Sequence, residues 1–189
     1  FVGSNILAGA SGQGDAGYKI DRSLRFNLAD SSKLTRTPSS AGNRKTWTLS
    51  FWIKRSKIGD EEMIFSAAES SSNRFHMYFP NADSISVYDH GSWYMSTSAL
   101  ARDPSAWMHL VFACDTTQST ATDRFKVYSN GVLADSFSAR VNPPQNRDIP
   151  VNSAILHQIS GRGYNTSDHF DGYLADVHFI DGQALAPTD

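Results

Sequence analysis

Two stretches of this chain mix aromatic, amide and carboxylate side chains at short spacing. One is Tyr88-Asp89-His90-Gly91-Ser92-Trp93-Tyr94, and the other is Arg162-Gly163-Tyr164-Asn165-Thr166-Ser167-Asp168-His169. Such a mixture suits a sugar: a ring stacks on the apolar face of a pyranose while polar groups bond its hydroxyls. Trp93, Tyr94, Tyr164, Asn165, Asp168 and His169 are the residues expected to make that contact. Tyr164, between glycines and polar residues, is the better exposed ring, and Trp93 fits core packing equally well.

Other chemistries find little support. Retaining glycosidases need two carboxyl groups about 5–5.5 Å apart. Asp60-Glu61-Glu62 are adjacent and point to alternate faces of a strand, so they read as an exposed strand start. The six histidines, His76, His90, His109, His157, His169 and His178, are dispersed and carry no His-Glu-x-x-His spacing. His109 reads as a satisfied sheet-face histidine. The single cysteine, Cys114, allows no internal disulfide and lies in an apolar run, where it serves as a small hydrophobe. No enzyme activity is expected, and no cofactor is required.

The elements that must position these groups are strands. Of 189 residues, 40% are hydrophobic, 12% aromatic and 19% charged, with a formal net charge of −2. That composition belongs to a folded chain, and its charge gives no general attraction to nucleic acid or to anionic membrane. No apolar stretch approaches the roughly 20 residues a spanning helix needs. Phe1-Val2-Gly3-Ser4 lacks the basic start of a secretory signal, and a chain that does not begin with Met reads as part of something longer. Residues 1–17 are Gly-rich and read as a linker or attachment arm, leaving 18–189 as the folded domain.

From there on the apolar residues alternate. Trp47, Leu49, Phe51 and Ile53 share one face; Phe75, Met77 and Phe79 share another, against Arg74, His76 and Tyr78. Trp107 to Cys114 is apolar on both faces and reads as a central strand, and Asn130-Gly131 predicts a two-residue hairpin turn. Residues 141–150, with Pro143, Pro144 and Pro150, form the expected long loop. About a dozen short strands and no 3.6-residue stripe predict an all-β, two-sheet antiparallel sandwich.

Five blocks, in order, resemble the laminin-G-like, concanavalin-A-type jelly-roll domains. They are Ser23-Leu24-Arg25-Phe26-Asn27 with Ser32-Lys33-Leu34, Thr48-Leu49-Ser50-Phe51-Trp52-Ile53-Lys54, Trp107-Met108-His109-Leu110-Val111-Phe112, Phe125-Lys126-Val127-Tyr128-Ser129-Asn130-Gly131-Val132, and Phe170-Asp171-Gly172-Tyr173-Leu174-Ala175-Asp176-Val177 with Gln183-Ala184-Leu185. In detail, Asp21 to Asn27 and Arg36 to Thr48 are similar to a subgroup common in tailed bacteriophages. That resemblance implies a non-catalytic domain on the virion surface, in a fibre, tail or capsid protein. Its implied partners are other virion subunits, in a homo-oligomer that in fibres is commonly a trimer, and bacterial surface polysaccharide. The alternative is a purely architectural module that binds virion neighbours and no sugar. A rim calcium ion is a known addition to such domains, with Asp89, Asp168 and Asp171 the candidate ligands here.

Overall fold

The alternation in Thr46–Arg55 works because successive side chains leave a strand on opposite faces. Trp47, Leu49, Phe51 and Ile53 are all buried, while Ser50, Trp52 and Lys54 point the other way. The computed structural model describes residues 19–165 and 167–187. The arm expected at 1–17 lies outside the described residues.

The strands are β1 (Leu24–Phe26), β2 (Leu34–Arg36), β3 (Thr46–Arg55), β4 (Glu62–Ser70), β5 (Asn73–Phe79), β6 (Ser84–Asp89) and β7 (Trp93–Leu100). After them come β8 (Met108–Asp115), β9 (Phe125–Ser129), β10 (Val132–Leu133), β11 (Phe137–Val141), β12 (His157–Ile159) and β13 (Gly172–Asp181). They form two antiparallel sheets, β1-β13-β3-β8-β9-β10 and β11-β7-β6-β5-β4-β12-β2. The all-β sandwich predicted from the sequence is the fold observed.

The core lies between the sheets and is rich in aromatic rings. Trp47 meets Phe75 and Phe125 edge-on, at 6.0 and 5.9 Å between ring centroids. Aromatic edges and faces carry opposite partial charge, so such pairs add to the hydrophobic gain. At the predicted hairpin, Asn130 and Gly131 have φ of 50° and 80°, and the strands pair Ser129 with Val132. After the turn β10 spans two residues before the chain leaves the six-stranded sheet and crosses to the other as β11. Near the C-terminus the chain folds over the outer face of β3: Thr48 Oγ1 donates to the Gln183 carbonyl and accepts from the Leu185 N–H.

One feature departs from the sequence reading. Glu62 is not exposed; it is buried together with Arg55 and Asp83. Arg55 donates to Glu62 Oε2 at 3.0 and 2.9 Å, to Asp83 Oδ1 at 3.0 Å and to the Ala101 carbonyl at 2.8 Å. Glu62 Oε1 also accepts the Asp171 N–H. A buried charge is tolerated only when paired and hydrogen-bonded, and this node ties β3 to β4 and to the turn before β6.

Candidate functional site

The outer face of the seven-stranded sheet is built by register. Val141 pairs with Tyr94, Tyr94 with Tyr88, Tyr88 with His76, His76 with Ser66, Ser66 with Gln158, and Gln158 with Thr35. One row therefore crosses all seven strands. Its neighbours along each strand, such as Met77, Val87 and Met95, belong to the core, so alternation turns the row outward. Beside it the floor is small and hydroxylated: Ser86 Oγ lies 3.2 Å from Ser84 Oγ and 2.8 Å from Ser96 Oγ.

The loop after β12 forms the wall of this face. Tyr164 stacks on His76 at 5.9 Å with the rings 10° apart. Gly163, at φ +79°, lies so close to β4 that an added Cβ would stand 3.0 Å from Ser66 Oγ. Ser66 donates to the Gly161 carbonyl at 3.0 Å, and Gln158 to the Ser160 carbonyl at 2.7 Å. Arg162 holds the loop from the other side through Glu61 and Asp168. Arg74 lies over both the Tyr88 and the Tyr164 ring, 5.4 Å from each centroid. Burial beneath the loop lowers the His76 pKa to about 4, with the Arg162 and Arg74 charges adding to the shift. Burial raises the Tyr78 hydroxyl above its ordinary value, with Glu61 acting in the same direction.

The residues expected from sequence divide sharply. Tyr94, 44% exposed, and Tyr164, half-buried, both come to this face. Trp93 does not: it is 1% exposed and packs on Phe125 at 4.7 Å, because 88–94 is a hairpin and Trp93 alternates inward. His169 is corrected likewise, being buried with its Nδ1 near Ser160 Oγ. Asn165 is exposed at the loop tip, where its carbonyl oxygen accepts from Ser167 N and Oγ. Asp168 is held by Arg162 and Ser167.

The three aspartates offered as calcium ligands do not converge. Asp89 faces Arg147, Asp168 faces Arg162 and Asp171 faces Arg25. Among the described residues no three His, Cys, Asp or Glu side chains are placed to hold a metal ion. The sequence reading passed over Arg74 and His76 as site residues, and placed Tyr88 in a sugar-suited stretch without naming it as a contact. The Arg74-His76-Tyr78 alternation marked the first two as one strand face, but not which strands would flank it.

A family profile described as the concanavalin A-like lectin/glucanases superfamily, of laminin-G type, matches residues 29–189. The chain belongs to that superfamily. No curated protein matches this laminin-G-type domain in sequence. Several solved structures share the fold. The native heptameric SAP-like pentraxin from Limulus polyphemus is 18% identical, with a TM-score of 0.54 over 80% of this chain and 70% of that one. The CBM40 of the Ruminococcus gnavus IT-sialidase is 13% identical, with a TM-score of 0.56 over 84% of this chain and 95% of that one. Domain 4 of the arabinanase AbnA from Geobacillus stearothermophilus, solved with arabinotriose, is 16% identical, with a TM-score of 0.56 over 77% and 65%. At these identities the likeness of the laminin-G-type domain to each is one of fold.

Proposed function

We propose that this is a non-catalytic carbohydrate-binding domain of a phage virion surface protein, in a fibre, tail or capsid, and that it binds host-surface glycan. The observation that carries the sugar reading is the accessible pair Tyr94 and Tyr88, cross-strand neighbours in the outward row, with the partly exposed Ser96 beside them. Rings supply stacking area at small conformational cost, and the hydroxyls supply adaptable hydrogen bonds. The solved complex of a similar fold with arabinotriose, in the arabinanase domain, supports the same direction. The virion address rests on the resemblance of Asp21 to Asn27 and Arg36 to Thr48 to tailed-phage proteins. The contact as read needs no cofactor.

The test is a glycan array probed with the intact chain, with and without calcium, beside Tyr88→Ala and Tyr94→Ala. Covering roughly 60 Å² of ring by a sugar is worth about 1.5 kcal/mol, so each variant should lose about tenfold in affinity. Binding that both variants retain in full would place the ligand elsewhere.

A second reading is architectural, and a separate observation favours it. Leu24, Leu34, Val177 and Phe179 are all exposed and border an apolar groove between the sheets on the β1 and β2 side. Val132, on the short edge strand β10, is 71% exposed. The contiguous apolar surface of the groove suits a neighbouring subunit. An array without any binding, together with a stable oligomer in sedimentation, would select this reading.

A further inference from the structure

Several arginines of this domain are matched to acids, and Arg44, Arg124 and Arg140 donate to carbonyl oxygens. Arg55 bonds Glu62 and Asp83, Arg147 bonds Asp89, Arg162 bonds Glu61 and Asp168, and Arg25 bonds Asp171. Arg74 is different. Its Nε is buried without a hydrogen-bond acceptor, and no carboxylate pairs with it among the described residues. Its guanidinium rests on the Tyr88 and Tyr164 rings instead. Ring faces attract a cation but accept none of its in-plane N–H groups, so the fork is held in place with its donors unspent.

The acids nearby are paired with other groups. Arg162 is already neutralised by Glu61 and Asp168, and His76 is uncharged at neutral pH because it is buried. Glu69, next to Arg74's cross-strand partner Ala68, accepts from Asn73. Arg74 thus has no carboxylate of its own, beside rings and hydroxyls on a solvent-facing sheet, while Glu61 and Asp168 together balance the summed charge of Arg162 and Arg74. The buried Nε is beyond a ligand's reach, so an arriving carboxylate would be met by the terminal nitrogens of the fork, which are not buried as Nε is.

We propose that Arg74 receives the carboxylate of an acidic sugar, and that the ligand class of this face is anionic polysaccharide with Tyr88 and Tyr94 under the sugar ring. The inference rests on the glycan reading and adds the charge of the ligand and the residue that selects it.

The probes are polygalacturonate, alginate and hyaluronate, each also in its carboxyl-reduced, neutral form, with binding to the intact chain measured by biolayer interferometry. Wild type should bind at least one acidic form, and carboxyl reduction should weaken that binding by about ten- to hundredfold. Arg74→Gln should cause a similar loss, Arg74→Lys should restore part of it, and Arg36→Gln, on β2 at the sheet edge, should change little. Equal affinity for acidic and reduced forms, or full binding by Arg74→Gln, would overturn the acid assignment and leave the glycan reading standing. Binding to none of the acidic forms would also overturn it, and the array would then decide whether neutral glycans are bound instead. Thermal melts accompany each variant. If Arg74→Gln does not fold, the wild-type comparison of acidic and reduced probes decides alone.

Discussion

His76 should make this domain sensitive to mild acid, by an amount the structure sets. The ring is buried under Tyr164, and its pKa falls from 6.5 to about 4, chiefly through burial, with Arg162 and Arg74 adding to the shift and Asp168 opposing it. In the unfolded chain the same ring takes up its proton near the ordinary value. Between those two values the unfolded state binds more protons than the folded one, so stability falls as pH falls. With the two pKa values given, the loss between about pH 7 and about pH 5 comes to about 2 kcal/mol, because one unit is worth about 1.4 kcal/mol. The perturbation is His76→Gln, which keeps a polar side chain but cannot titrate. Urea unfolding at both pH values should show wild type losing about 2 kcal/mol more than the variant. Burial also lowers the pKa of His157 and of His169, but both remain in each protein and cancel in the difference. Parallel pH profiles for the two proteins would refute the reasoning, since they would mean that the 160–169 loop does not keep water from the ring.

Two further perturbations address the scaffold. Arg55→Met leaves Glu62 buried without its cation, so it should cost about 3–5 kcal/mol in urea unfolding, with Arg55→Met/Glu62→Gln recovering part of that loss; an unchanged midpoint would mean that water reaches the node. Gly172→Ala should cost about 1–3 kcal/mol, because the added Cβ would stand 2.3 Å from the Lys54 carbonyl oxygen on the neighbouring strand; a melting temperature equal to wild type would contradict that crowding.

Much of the architecture was legible in the residues alone. Strict alternation over Trp47 to Ile53 and over Phe75 to Phe79 states which side chains enter a core, because period two is a property of the strand itself. Asn130-Gly131 states its turn, because Asn and Gly tolerate φ > 0. Tyr164 was legible as a ring among small and polar residues, although its exposure was overestimated, since the loop lies down on the sheet and stacks that ring on His76.

The site was legible only in fragments. Trp93 and Tyr94 are neighbours in sequence and equally aromatic, and only the hairpin's placement in the sheet sends one to the core and the other to water. The acidity expected at Asp60-Glu61-Glu62 is likewise divided by the fold, Glu61 meeting Arg162 and Glu62 meeting Arg55. A strand's own periodicity is local, so the sequence by itself determined which residues share a face. Which faces meet depends on register between strands far apart in the chain, and only the tertiary structure could set Tyr94, Tyr88 and His76 in one row and leave Arg74 beside them without an acid.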